Sequence, residues 1–189
     1  MRRSTSSLVA GITILLATFL TPGSASAQEA TWTVTPGGAF TGEGTIKLDG
    51  TVCYLRFNGT FFDSSGQGRI DQVNVHGCSN PAPLGYPSFR VPISLTATKY
   101  LSSIDTTAGP FANFVIDIQG PCPVRLGSPN DPPNTVEFLY DNENATMWWS
   151  SGLNNGLRVY DPRKCYDKES VNINNSFTIT PAQTIRPSE

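Results

Sequence analysis

The chain has 189 residues, of which 38% are hydrophobic and 10% are aromatic, and this content is too high for a disordered chain. Thirteen basic residues against 15 acidic ones give a formal net charge of −2, which leaves no basic field to attract nucleic acid. A single His and four Cys exclude a metal centre built from several histidines. The 17 Gly and 15 Pro residues predict many turns and few long helices.

The first 27 residues have the pattern of a secretory signal peptide. Arg2 and Arg3 supply positive charge, an apolar run follows at 8–20, and Ala25-Ser26-Ala27 forms an A-x-A cleavage site. The apolar run is too short to span a membrane. We therefore expect a secreted, extracellular protein without a transmembrane segment, in which residues 28–189 form a single domain. Loss of the two arginines would change its net charge from −2 to −4.

Four cysteines follow this segment: Cys53, Cys78, Cys122 and Cys165. An even number of cysteines in an exported chain indicates disulfides. Zinc binding is the alternative, but no pair has the C-x-x-C spacing that is typical of zinc sites. We therefore expect two disulfides and no metal site.

Turn geometry predicts which cysteines pair. Two strands, at 51–62 and 69–76, flank a turn cluster at 63–68. If this antiparallel hairpin has no bulge, Cys53 lies directly opposite Cys78, at a separation that suits a disulfide. The other two cysteines then form the second disulfide by elimination.

Short strands follow one another along the rest of the chain, with turn residues between them. The sequence predicts ten strands, at 31–35, 39–48, 51–62, 69–76, 89–100, 111–119, 135–140, 145–150, 156–161 and 171–179. No helical periodicity extends beyond two turns after the signal segment. This pattern predicts an all-β fold, a two-sheet β-sandwich of roughly ten short antiparallel strands, with a β-barrel as the alternative.

The last clear hairpin decides which tryptophan faces the core. A four-residue loop at Asp141–Asn144 sets the predicted register. The core face then consists of three apolar pairs, Val136 with Trp149, Phe138 with Met147, and Tyr140 with Ala145. Trp148 is predicted to lie on the opposite face beside Glu137.

No catalytic residue is assigned from the sequence. His76 is the only histidine that could complete a Ser–His–Asp triad, and no G-x-S-x-G elbow surrounds any Ser. A hydrolase that uses two carboxylates needs no histidine, and its candidate acids are Asp71, Asp117, Glu137, Asp141 and Glu143. Asn130-Asp131 and 141–144 could offer oxygen atoms to calcium, but their spacing does not match an EF-hand loop, and we interpret both as solvated turns. We expect no cofactor.

Aromatic side chains could instead bind a ligand. Tyr86, Trp148, Trp149 and Tyr160 could together form a platform on which sugar rings stack. Because Trp149 is predicted to face the core, the candidate ligand-binding residues are Trp148, Tyr86 and Tyr160.

Three glycine and aromatic motifs suggest a family. They are P-G-G-x-F-T-G at 36–42, F-N-G-T-F at 57–61 and G-x-G-x-I at 66–70, and Gly77-Cys78 and two later cysteines follow. Across most of residues 31–180 the chain resembles the bacterial secreted proteins known as activators of alkane oxidation, the PraB-like group. The resemblance implies a small extracellular or surface β-protein, connected with growth on hydrophobic substrates such as alkanes or with biofilm and adhesion. It implies no catalytic residue.

Together these observations favour a secreted, non-enzymatic β-protein that acts by binding at the cell surface or in the extracellular matrix. Its partner would be a cell-surface or matrix component, a polysaccharide or the surface of a hydrophobic substrate, and not nucleic acid. A secreted carbohydrate- or ligand-binding module is the first alternative. A carboxylate-dependent hydrolase is the second.

The cleavage site generates the first prediction. The exported protein should begin at Gln28, because signal peptidase cuts after the second small residue of an A-x-A site. Intact-mass measurement of the secreted protein should show the loss of residues 1–27. A full-length chain in the culture supernatant would contradict the signal-peptide interpretation.

Overall fold

The structure of the protein is a computed structural model that describes residues 31–62, 65–79, 85–127, 136–150, 157–167 and 169–188. The predicted signal peptide and the Asn130-Asp131 turn lie outside the described residues. The strands are β1 (Trp32–Thr35), β2 (Gly38–Leu48), β3 (Thr51–Phe61), β4 (Gln67–Ser79), β5 (Tyr86–Phe89), β6 (Ile93–Thr96), β7 (Lys99–Leu101), β8 (Thr106–Ala112), β9 (Ile116–Gln119), β10 (Val124–Leu126), β11 (Glu137–Asp141), β12 (Thr146–Ser150), β13 (Leu157–Tyr160), β14 (Ser170–Val171), β15 (Ile173–Thr180) and β16 (Thr184–Pro187). One short 3₁₀ helix, Ser102–Ile104, connects β7 to β8.

Eight of these strands form a closed antiparallel barrel. Their order is β8-β11-β12-β15-β2-β3-β4-β6, and the ring closes because β6 and β11 both pair with β8. Closure leaves no free edge among these eight strands, since each has a neighbour on both sides. The all-β prediction is confirmed, and of the two architectures considered the closed barrel describes the main sheet.

Two smaller sheets accompany the barrel. One has five strands in the order β14-β13-β10-β9-β5, and the other is a two-stranded ribbon of β1 and β16. Phe89 of the five-stranded sheet and Phe114, just before β9, contact the ring of Trp149 with centroid distances of 5.8 and 5.3 Å. One continuous cluster of buried residues therefore joins the inner face of the five-stranded sheet to the barrel interior.

Aromatic rings fill the barrel, and glycines make room for them. The Trp149 ring lies 4.5 Å from Phe177 and 5.5 Å from Phe57, measured between centroids. A Cβ atom added to Gly42 would lie 2.1 Å from the Phe57 ring, and one added to Gly59 would lie 2.3 Å from the nearest backbone oxygen. These glycines of the P-G-G-x-F-T-G and F-N-G-T-F motifs are therefore required by close packing.

Both predicted disulfides are present. Cys53 and Cys78 are bonded with Cα atoms 4.0 Å apart, and Cys122 is bonded to Cys165. The first pairing holds even though the assumption of a hairpin without a bulge is wrong. Near the turn Phe61 pairs with Gly68, two residues out of step with the predicted register, and two shifts in β4 restore the pairing at the cysteines.

The bulges in β4 explain why its apolar residues do not alternate regularly. No residue of β3 pairs with Asp71 or His76, so each is an extra residue in β4. An extra residue reverses which face the following side chains occupy. Ile70 and Val73 therefore both face the core, although they are three residues apart.

The β11–β12 hairpin has the predicted faces but a different register. Phe138 pairs with Trp149 and Tyr140 with Met147, two residues away from the prediction, because the loop occupies 142–145 and not 141–144. A shift of two residues preserves the faces, since side chains alternate with a period of two. Trp149 is buried and Trp148 is half-buried on the other face, whereas Ala145 lies in the turn and not in the core.

Side chains form hydrogen bonds with backbone groups at places where strand pairing ends. The backbone N–H of Trp149 donates to Asn175 Oδ1, and Asn175 Nδ2 donates to the backbone carbonyl oxygen of Trp149, both at 2.6 Å. The Ile185 N–H of β16 donates to Asn142 Oδ1 at 2.7 Å, and the Tyr140 hydroxyl donates to the Gln183 carbonyl oxygen at 2.9 Å. The bonds of Asn142 and Tyr140 attach the ribbon and the segment before it to the barrel, and those of Asn175 satisfy backbone groups of β12.

Over the described residues, no helix has the length and apolar character needed to cross a membrane.

The packing of the two tryptophans gives a stability prediction. Trp149→Ala should lower the free energy of unfolding by about 3–5 kcal/mol, because it empties the centre of the aromatic core. Trp148→Ala should change it by less than about 1 kcal/mol, since this ring lies on the outer face. Urea denaturation of both variants measures the difference.

Trp149→Phe serves as the control for ring loss. The indole Nε1 of Trp149 has no hydrogen-bond partner, so Phe removes an unpaired donor and keeps an aromatic ring. This variant should lose much less stability than Trp149→Ala. Equal losses for Trp148→Ala and Trp149→Ala would contradict the assignment of the two faces.

Candidate functional site

A cleft of about 710 Å³ lies on the outer face of the five-stranded sheet. This volume is within the usual range for small-molecule sites. The cleft is formed by β9, β10, β13 and the turn that follows β13. The lining side chains on which its chemistry depends are Asp117, Gln119, Pro123, Arg125, Tyr160 and Arg163.

Strand register brings these side chains to one face. Asp117 of β9 pairs with Arg125 of β10, and Arg125 pairs with Tyr160 of β13. Directly opposite residues in an antiparallel sheet project to the same side. Their neighbours Ile118 and Val124 point the other way and are buried in the core. The polar face of this sheet is therefore the outer one, above a packed apolar base.

An ion-pair cluster occupies one side of the cleft. Asp117 accepts hydrogen bonds from Arg90 Nε and Arg125 Nε, each at 2.7 Å. Burial acts to raise the pKa of Asp117, but the hydrogen bonds from Arg125 and Arg90 outweigh it and hold the pKa below its usual range. Asp117 is therefore ionised at neutral pH, and it fixes the positions of two guanidinium groups.

The opposite wall is a tight turn held by Asp161. Its carboxylate accepts the backbone N–H of Tyr166 at 2.6 Å and that of Arg163 at 2.9 Å. Burial acts to raise the pKa of Asp161, but these backbone N–H groups outweigh it and lower the pKa. The Tyr166 hydroxyl donates to Asp49 at 2.6 Å, and this bond ties the wall to the barrel at the β2–β3 turn. The pKa of Tyr166 is raised by burial and by its bond to Asp49.

The Cys122–Cys165 disulfide joins the two walls. Cys122 immediately precedes Pro123, and Cys165 lies two residues beyond Arg163. In the described part of the chain, these two cysteines and Asp161 are the one group of three whose ligand-type atoms lie within 4.8 Å of one another. Both sulfur atoms are bonded to each other and carry no thiolate, so the group acts as a covalent brace and not as a set of metal ligands.

The structure brings two of the three predicted aromatic residues to this face. Tyr160 lines the cleft, and Tyr86 of β5 pairs with Gln119 and is 55% exposed. Trp148 lies elsewhere, on β12 of the barrel opposite Leu139. Tyr86 and Tyr160 are therefore candidates for one binding surface, and Trp148 is not part of it.

Sequence reasoning included Asp117 among its candidate acids but missed the arginines of the cleft. Arg125 and Arg163 were not selected, and Arg90 lies just beyond β5, in a run predicted to be one long strand at 89–100. The alternation of Asp117 and Gln119 with buried isoleucines could have indicated an outer polar face. No sequence signal connects Arg90 to that face, because three other strands, β6, β7 and β8, lie between β5 and β9 in the chain.

The other candidate acids lie outside the cleft. Asp71 pairs with Arg69 at 2.5 Å, and Glu137 lies 3.8 Å from Lys99. Asp141 accepts the Glu143 backbone N–H at 2.9 Å and so stabilises its own loop. His76 is exposed, with its ring 5.9 Å from that of Tyr54. None of these acids or the histidine lines the cleft with Asp117.

No family model, curated protein or solved structure matches this chain.

The bracing role of the second disulfide can be measured. Replacing Cys122 and Cys165 together by Ala should lower the free energy of unfolding by about 4 kcal/mol. Replacing Cys53 and Cys78 should lower it by about 3.5 kcal/mol, because the Cys53–Cys78 bond closes the shorter loop. Hydrogen exchange distinguishes the two variants. Loss of Cys122–Cys165 should accelerate exchange at the Tyr166 amide, while loss of Cys53–Cys78 should leave it unchanged. Unchanged exchange in both variants would show that Asp161 alone holds the wall.

Proposed function

We propose that this protein is exported and acts outside the cell, at the cell surface or in the extracellular matrix, as a non-enzymatic binding protein. Its ligand occupies the cleft over β9, β10 and β13. The observation that carries the proposal is the construction of this cleft. Its floor is a sheet packed on the core, one wall is fixed by the Arg90–Asp117–Arg125 cluster, and the other is fixed by a disulfide. Such a rigid site loses little conformational entropy on binding.

The ionised state of the cleft acids favours a binding function over hydrolysis. A carboxylate-dependent hydrolase needs one acid whose pKa is raised so that it can donate a proton at neutral pH. Asp117 and Asp161 both have lowered pKa values, and both accept hydrogen bonds from fixed donors. Neither carboxyl group is suited to the role of general acid.

The cellular context comes from the sequence. The signal pattern and the disulfides support an oxidising, extracellular location. The resemblance to activators of alkane oxidation supports a link with growth on hydrophobic substrates or with biofilm and adhesion. Charged and amide side chains line the cleft beside apolar ones such as Pro123 and Pro162, and a hydrocarbon would desolvate the charged groups without pairing them. Its direct ligand is therefore a molecule of the surface or matrix that carries polar groups, and not the hydrocarbon.

A carbohydrate-binding role is the form of this proposal that the aromatic residues favour. Tyr160 and Tyr86 share the outer face with Asp117 and Gln119. An aromatic ring beside planar polar groups suits a sugar, whose ring has an apolar face and a polar edge.

Binding of the mature protein to cell-wall fractions, polysaccharides and hexadecane droplets tests the proposal. Tyr160→Ala should weaken binding to the wall or polysaccharide fraction at least about fivefold, since truncating a central interface tyrosine typically costs more than about 1 kcal/mol. Tyr54→Ala is the matched control, because Tyr54 is an exposed tyrosine on β3 of the barrel, away from the cleft. Equal retention of binding by the two variants would place the binding surface elsewhere. Preferential binding to hexadecane would overturn the polar-ligand proposal.

A further inference from the structure

We propose that the ligand of the cleft is an anionic saccharide, a sugar chain whose carboxylate groups pair with the guanidinium groups of Arg125 and Arg163. This inference rests on the proposed function and names the chemical class of the ligand. Its basis is the charge balance of the cleft, the fixed position of Arg125 and the neighbouring tyrosine.

The charged residues in and beside the cleft carry one more positive than negative charge when Arg90 is counted, in a chain whose net charge is negative. Arg125 and Arg163 line it together with Asp117 and Asp161, and Arg90 is bonded to Asp117 from its edge. Both acids already have partners, since two guanidinium groups bind Asp117 and backbone N–H groups bind Asp161. An incoming cation would compete with these donors, whereas an incoming carboxylate meets the guanidinium groups of the two lining arginines, Arg125 and Arg163.

Arg125 is held in place for recognition of a planar anion. Its Nε–H donates to Asp117 at 2.7 Å, which restrains the plane of the guanidinium group. A guanidinium group has five N–H donors, and its planar shape matches a carboxylate in a two-point contact. Because Asp117 already restrains this side chain, binding an anion orders it little further.

The aromatic side chain next to Arg125 favours an anionic sugar over a simple inorganic anion. Tyr160 lies directly opposite Arg125 in the strand register, and Pro123 also lines the cleft. These side chains offer apolar surface to the face of a sugar ring, while Gln119 offers an amide to its hydroxyl groups. A simple inorganic anion would use the arginines alone and leave this surface without a role.

Calorimetric titration of the mature protein with acidic and neutral oligosaccharides tests the inference. The acidic probes are hexagalacturonate and an alginate hexamer, and the neutral probes are the same chains after reduction of their carboxyl groups. The acidic chains should bind at least about tenfold more tightly than their reduced forms. Binding of the acidic chains should weaken at about 0.5 M salt, since exposed charges are then screened.

Two arginine variants locate the interaction. Arg125→Gln should weaken binding of the acidic chains at least about tenfold, and Asp117 keeps Arg90 as a partner in this variant. Arg56→Gln is the matched control, because Arg56 also pairs with one acid, Glu43 at 3.1 Å, on the outer face of the barrel. It changes the net charge equally and should leave affinity within about twofold. Arg163→Gln replaces Arg125→Gln as the test if thermal denaturation shows that the latter variant does not fold.

The outcomes separate this inference from the proposed function. Equal binding of acidic and reduced chains, with Tyr160→Ala weakening both and Arg125→Gln affecting neither, would overturn the anionic ligand and retain the binding cleft. Equal weakening by Arg125→Gln and Arg56→Gln would show only a general charge effect and would also overturn it. If no chain binds and Tyr160→Ala leaves attachment to cell-wall fractions unchanged, both proposals fail.

Discussion

Closure of the barrel around a cluster of aromatic rings is the constraint on which the rest of the structure depends. Trp149 lies at its centre, 2% exposed, and contacts rings from both the barrel and the five-stranded sheet. The Phe57 ring and the neighbouring Phe40 ring have room because Gly42 and Gly59 carry no side chain. Packing at this density tolerates little change in volume, so the core fixes the position of each sheet relative to the other.

The cleft lies on the outer face of the sheet that packs on this core, so its exposed side chains are separate from those that stabilise the fold. Inward-facing isoleucine and valine side chains of β9 and β10 anchor the floor, while the alternate residues present Asp117 and Arg125 outward. The exposed ion pairs contribute little to the free energy of unfolding. Their effect is to hold charged groups in place, and the Cys122–Cys165 disulfide does the same for the turn at 161–166. A substitution among the exposed charged side chains of the cleft can therefore test the proposed binding without unfolding the protein.

The two hairpin predictions show which errors the pleated geometry tolerates. In β11–β12 the loop is displaced by one residue, which shifts the register by two and leaves Trp149 inside and Trp148 outside. In β3–β4 two bulges each add a residue, and together they return Cys53 to Cys78. An even displacement keeps side chains on their predicted faces, whereas the odd displacement between the two bulges of β4 exchanges the faces there, so that Val73 shares the core face with Ile70.

The sequence by itself determined the all-β class, both disulfides and the burial of Trp149, because alternation, turn residues and cysteine spacing are local properties of the chain. It also pointed to Tyr86 and Tyr160 as candidate binding residues. Only the tertiary structure decided that the main sheet closes, since β8 meets β11 across a long stretch of chain. It also decided that Arg90, Asp117 and Arg125 meet, because the pairing of β5 with β9 skips the intervening barrel strands. The cleft depends on contacts between segments distant in sequence, and the order of strands in a sheet is set by which faces can be buried together.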